Sequence, residues 1–254
     1  MKVIKMAVFA LFAVFLLQGL SHAGMVFKEI SYLERSGKTS GRVSTNYISN
    51  NRMKVVSQDG PYIIMDFNNG TMFMVNAGDK TYWGGDFNAM LKQTKDAFKQ
   101  MMSALNMAGQ AGQVNQAKKT RLAVKKTGQT TTIAGYVATR YEIYADKDLF
   151  EEIWAGRDLA GEIGKEFDFK KAEIYGRQLQ EAFAFGPVEF DYADLSRVDG
   201  YVLRRKTAGG AVIETISVEK KAVTENEFQV PAGYKKAEPE DMFGQGMPVD
   251  GAGR

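Results

Sequence analysis

Tyr62-Ile63-Ile64-Met65-Asp66-Phe67-Asn68-Asn69-Gly70-Thr71-Met72-Phe73-Met74-Val75-Asn76 carries the reading that decides the fold. Apolar runs flank an Asn-Gly pair, and Asn-Gly accepts the positive φ that a tight hairpin turn demands at both centres. A two-residue turn there sets Phe67 opposite Met72, Asp66 opposite Phe73, Met65 opposite Met74 and Ile64 opposite Val75. Side chains alternate along a strand, and cross-strand partners share a face. Ile63, Met65, Phe67, Met72 and Met74 therefore gather on one face, and Tyr62, Ile64, Asp66, Phe73 and Val75 on the other. Neither face suits water, so each needs a cover. Both can lie in core. Alternatively, the Met-rich face lines a cavity, because polarizable thioethers repack around varied apolar guests.

The same pattern extends outward. Turn chemistry at Ser36-Gly37, Asn50-Asn51, Gly60-Pro61 and Ala77-Gly78-Asp79 makes Gly24 to Gly85 an antiparallel meander. Asp86 caps a helix beginning at Phe87, where Phe87, Met90, Leu91, Thr94, Phe98, Met101, Met102 and Leu105 recur on one face. That helix, to Met107, is either permanent core or a lid over an apolar groove. Ala108 to Ala117 has linker composition. Thr130 to Tyr144 reads as one strand, with Ile133, Val137, Tyr141 and Ile143 on one face and Tyr136, Arg140, Glu142 and Tyr144 on the other. Phe150 to Ala155 forms a further strand. A helical region from Arg157 to Phe185 breaks near Asp168, and strands Gly200 to Lys206 and Ala211 to Lys220 meet at Gly209-Gly210. The result is one domain over 24–243, with a Gly/Pro-rich tail at 244–254 expected to be disordered.

Composition narrows the chemistry. The 254 residues are 44% hydrophobic and 25% charged, which is globular, and they include no cysteine and one histidine. Residues 1–23 read as an export signal: Lys2 and Lys5 precede the apolar core Met6 to Leu17, and Ser21-His22-Ala23 offers small residues for cleavage before Gly24. The apolar stretch is too short to span a bilayer. Cleavage removes the histidine and leaves a nearly neutral chain in the periplasm, not a lipoprotein. Thiol and imidazole catalysis, thiolate or histidine metal sites and disulfides are then excluded, as is overall electrostatic binding of nucleic acid.

A resemblance emerges from the order of features. Asn46-Tyr47-Ile48-Ser49-Asn50-Asn51-Arg52-Met53-Lys54 and Met72-Phe73-Met74-Val75-Asn76 are followed by Lys80-Thr81-Tyr82-Trp83 and Ile133-Ala134-Gly135-Tyr136. Glu152-Ile153-Trp154-Ala155 and Phe228-Gln229-Val230-Pro231-Ala232-Gly233-Tyr234 complete the series. Together they resemble an uncharacterised exported bacterial family of the LolA-like superfamily, whose best-known members carry lipoproteins across the periplasm. The resemblance implies an α+β fold: a curved antiparallel half-barrel with helices covering the concave face and an apolar cavity between. No arginine here matches the carrier's lid-control residues.

The expected function is non-enzymatic binding of a lipid or other hydrophobic ligand, as carrier or sensor in envelope maintenance, with no metal or cofactor. Ile63, Met65, Phe67, Met72, Met74, Met90, Phe98, Met101 and Trp154 are the candidate lining residues. The alternative is an envelope interaction module with a filled core. Lys118, Lys119, Arg121, Lys125 and Lys126 offer a contact for an anionic membrane surface, or simply a solvated strand edge. An enzyme would need a buried carboxylate pair in a cleft, and the adjacent Glu151 and Glu152 point to opposite faces of a strand.

Overall fold

The computed structural model describes residues 22–58, 60–96, 118–182, 188–191 and 193–238. The meander forms β1 (His22–Leu33), β2 (Arg42–Ser49), β3 (Arg52–Ser57), β4 (Tyr62–Asp66), β5 (Thr71–Asn76) and β6 (Thr81–Asp86), followed by helix α1, described over 87–96. β7 (Lys118–Ile133), β8 (Tyr136–Ala145) and β9 (Asp148–Gly156) lead to α2 (Arg157–Ile163) and α3 (Phe169–Ala182). The chain closes with β10 (Val188–Asp191), β11 (Tyr201–Thr207), β12 (Ala211–Val223) and β13 (Lys235–Lys236). The thirteen strands of the described residues join one sheet in the order β10-β7-β8-β9-β11-β12-β1-β2-β3-β4-β5-β6-β13. The sheet is curved and unclosed, an α+β half-barrel with helices on its concave side. Its pairings are antiparallel except at the edges, where β10 and β13 add parallel to β7 and β6.

The decisive hairpin keeps the expected faces but not the expected register. Ile63 pairs with Met74 and Met65 with Met72, two residues away from the two-residue-turn alignment. The loop is four residues long because the Asp66 carboxylate accepts the Asn68 and Asn69 backbone N–H groups at 2.8 and 3.0 Å, and Gly70 alone in it takes a positive φ (63°). A two-residue slip preserves the alternation, so Met65, Met72 and Met74 still share a face. The tight turn with both centres left-handed lies instead at Asn50-Asn51 (φ 47° and 56°), joining β2 to β3.

A second such turn corrects the Thr130 to Tyr144 strand. Ala134 and Gly135 both take positive φ (49° and 87°), so Ile133 pairs with Tyr136 across a hairpin between β7 and β8. Alanine in that conformation goes against its preference, which hid the turn. Face assignments from Tyr136 onward hold. At Gly84 only glycine fits, since a Cβ would stand 2.1 Å from the Met72 carbonyl oxygen.

Each sheet face is covered differently. Met25, Phe27, Ile48, Phe67 and Leu203 pack with Leu159, Ile163 and Phe167 from α2 and the segment after it. Asn51 fixes that segment: its N–H donates to the Glu166 carbonyl at 2.7 Å, and its Oδ1 accepts the Asp168 N–H at 2.6 Å. On the opposite face, Val26, Tyr62, Ile64 and Val75 are roofed by the C-terminal strap, through Phe228, Val230 and Tyr234. Arg52 and Lys54 pair with Glu225 (3.3 Å) and Glu227 (2.8 Å) on the strap, and β13 then zips onto β6.

The cap of α1 is as expected: the Ala89 N–H donates to the Asp86 carboxylate at 2.9 Å. Asp86→Ala is expected to lower stability by about 1 kcal/mol in denaturant titration. The linker at 108–117 and the tail at 244–254 lie outside the described residues. β1 begins at His22, two residues before the expected cleavage point, and Gly24 is already paired with Lys221. No helix among the described residues is long and apolar enough to cross a membrane.

Candidate functional site

The expected lining residues converge, but on packed core. Met72, Trp83, Phe87, Met90 and Leu91 form a buried cluster, with Ile63, Met65, Met74 and Tyr175 against it. Phe67 meets Phe167 and Tyr175 edge-on, at 5.1 and 5.5 Å between ring centroids. The gap left between Met65, Phe67, Phe87 and Tyr175 is about 10 Å³, no more than one water occupies. Phe98 and Met101 lie outside the described residues. Trp154, on β9, packs against the cluster that contains Phe67, and its indole N–H donates to Glu152 at 3.1 Å.

Open volume lies in the other half of the sheet. β11 bonds to β12 only over Arg204–Lys206, while β12 runs on beside β1 to Val223. Around this parting of strands is a cavity of about 560 Å³. Ile143, Ile153, Val202 and Leu203 form its apolar wall on the sheet, and Ile213 stands at its edge. Leu195 and Val198 cover it from the 3-10 turn Ala193–Arg197 and the residues just after. Phe169, at the start of α3, and Ile213 are both about 40% exposed, so the rim presents apolar surface to solvent.

Three charged side chains enter this cavity: Glu29, Glu151 and Arg205. Glu151 is 6% exposed and is held by the Arg205 Nε at 2.5 Å. Glu29, on β1, accepts the Asn46 side-chain amide at 2.7 Å, and among the described residues no cation pairs with it. Burial raises its pKa above the usual carboxylate value, against the opposing influence of Asn46 and Thr215. Tyr201, stacked on Phe27 at 5.3 Å, is pushed up by its own burial and by the Glu29 charge.

The adjacent acids do split as expected: Glu151 enters the cavity, whereas Glu152 binds Arg140 on the opposite face. That face carries a charge network in which Glu142 accepts from Tyr144 (2.8 Å) and pairs with Lys125 (3.3 Å) and Arg140 (3.3 Å). Elsewhere Tyr136 donates to Glu162 of α2 at 2.7 Å, and burial and this carboxylate push its pKa up to about 12. Lys220 completes that link at 2.8 Å, tying α2 to β12. No cluster of metal-ligating side chains occurs among the described residues.

Glu29 also sets a pH dependence. A carboxyl group whose pKa rises on folding favours the folded state in its protonated form. Its contribution is complete below the ordinary value near 4.5 and is lost as pH rises through the folded value. Glu29→Gln should remove that loss. The melting temperature of the variant minus that of the parent is expected to grow from acid to neutral pH, by ~2–4 °C for each ~1 kcal/mol relieved.

The sequence reading missed Glu29, Arg205, Tyr201 and the 3-10 turn. The available signal was the acid at Glu29 on an otherwise apolar strand face, beside Met25 and Phe27.

A family model described as a domain of unknown function, DUF4412, matches residues 88–234. No curated protein matches the sequence. Among solved structures, one of PNGF-II is similar at 15% identity and a TM-score of 0.42, over 87% of this chain and 32% of that one. MucB is similar at 10% identity and a TM-score of 0.37, over 88% of this chain and 62% of MucB. The Pseudomonas aeruginosa MucA/MucB complex gives 10% identity and a TM-score of 0.38, over 83% and 56%. The chain thus spans about a third of PNGF-II and less than two thirds of MucB.

Proposed function

This chain belongs to the DUF4412 family, whose model spans more than half of it, and from that premise we propose a non-enzymatic periplasmic protein that takes a lipid or other apolar molecule into its cavity, as carrier or sensor in the cell envelope. The observation that carries the reading is the cavity of about 560 Å³ at the parting of β11 and β12. It falls within the ~300–1,000 Å³ of small-molecule sites, with apolar walls and few polar groups. The export signal read at residues 1–23 supports the location, and the half-barrel with covering helices fits the likeness to the LolA-like superfamily. The Met-rich face serves as core in this reading, since α1 already fills it.

An environment-sensitive apolar dye tests it. Saturable fluorescence enhancement at one site per chain is expected, displaced by a competing fatty alcohol. A flat titration would overturn the reading.

Membrane contact through the basic run is a minor part of the proposal. β7 alternates its side chains, so Lys125 and Lys126 face opposite ways: Lys125 pairs with Glu142, and Lys126 lies 5.9 Å from the Tyr141 ring centroid. Arg121 approaches Asp194 at 3.9 Å.

One observation favours an enzyme instead: Glu29 and Glu151 share a cavity. Their strands β1 and β9 are separated by β12 and β11, roughly 14 Å at the backbone for three strand spacings. Glycosidase carboxyl groups stand ~5–9.5 Å apart, and Glu151 is already committed to Arg205. The binding reading is therefore preferred.

A further inference from the structure

Resting on the binding reading, we infer that the guest is an amphiphile with a protonated amine head, seated at Glu29 with its tail along Ile143, Ile153 and Val198. Charge balance in the cavity sets the head group. Glu29, Glu151 and Arg205 are the charged side chains of the cavity, and Arg205 is spent on Glu151 at 2.5 Å. Glu29 is left with neutral neighbours, the Asn46 amide donating to it at 2.7 Å and the Thr215 side chain beside it. The aromatic ring beside it, Tyr201, is partly buried, and its phenol is held protonated.

A carboxylate partly shielded from water and without a counter-charge carries a desolvation cost, and a cation delivered by the guest offsets that cost. A free fatty acid would bring a second negative charge into the same space. An uncharged alcohol would gain hydrogen bonding but no charge compensation. The wall away from Glu29 holds Ile143, Ile153, Leu195 and Val198, which suit a tail and offer an anionic head nothing. Arg205 stands on β11 between the two acids, and its side chain is half exposed, so it closes the rim over Glu151.

Calorimetric titration of the purified protein with dodecylamine, dodecanol and dodecanoate, each below its micelle concentration at neutral pH, tests this. Dodecylamine is expected to bind about tenfold or more tightly than dodecanol, with dodecanoate weakest. The preference should persist at ~0.5 M salt, because a buried pair is poorly screened. In Glu29→Gln, shown folded by circular dichroism, the amine-to-alcohol ratio should fall to about one. Dodecanoate binding as tightly as the amine, or an unchanged ratio in Glu29→Gln, would overturn the inference and leave the binding reading standing. Failure of all three to bind would remove both.

Discussion

Truncation after Thr224 should unfold the protein or leave it molten, although it removes no residue of the meander. The lost strap roofs one face of the meander: Phe228 is 6% exposed and closes over Val26, Tyr62, Ile64 and Val75, with Val230 and Tyr234 beside it. Returning those apolar surfaces to water costs on the order of 5 kcal/mol at ~25 cal/mol per Å², against a total of ~5–15 kcal/mol for a folded domain. The ion pairs are secondary. Glu225 and Glu227 are 45% and 40% exposed, so Glu225→Gln with Glu227→Gln should cost roughly 1 kcal/mol or less. Phe228→Ala alone should cost about 3–5 kcal/mol. Urea titrations of the three variants separate the terms. A truncated chain as stable as the parent would show that the strap is an accessory.

Closing the cavity from its roof should abolish binding while sparing the fold. Leu195 and Val198 lie in and beside a 3-10 turn, outside the sheet's hydrogen-bonded strands, and are only partly buried. Leu195→Trp combined with Val198→Trp places two indoles over Ile143 and Ile153. Affinity for an apolar probe should fall at least tenfold, about 1.4 kcal/mol, with stability changed by roughly 1 kcal/mol. Leu91→Ala provides the contrast. It opens the packed face beneath α1 and should cost ~2–5 kcal/mol of stability, with the affinity of the folded protein unaltered. The opposite pattern, affinity sensitive to Leu91 and not to Leu195 and Val198, would move the site back to the Met-rich face.

The two halves of the chain differ in how much they disclose before folding. From Met25 to Asp86, alternation and turn residues specify faces, and even the misplaced register at Asn69-Gly70 left Met65, Met72 and Met74 together, because the slip was an even number of residues. What decided the register was a side-chain event, Asp66 capping its own loop. The strap was visible as Phe228 to Tyr234, but its role was not, since it answers a demand made by Tyr62, Ile64 and Val75 far earlier in the chain.

The cavity was least legible. It arises where β11 leaves β12 after three pairs, a departure that no local pattern encodes. Its polar groups come from β1, β9 and β11, strands distant in sequence. Methionine content pointed to the better-filled side. Plastic side chains suit a cavity, but they also close gaps, and here α1 supplied the partner that closed them.

The proposed function requires that the half-barrel hold an apolar guest. Native mass spectrometry of the protein, purified without detergent from the cells that make it, tests this most directly. A bound species is expected at one copy per chain, released by organic solvent and absent from the Leu195→Trp, Val198→Trp variant. A bare polypeptide mass in repeated preparations, with no uptake of added amphiphile, would contradict it.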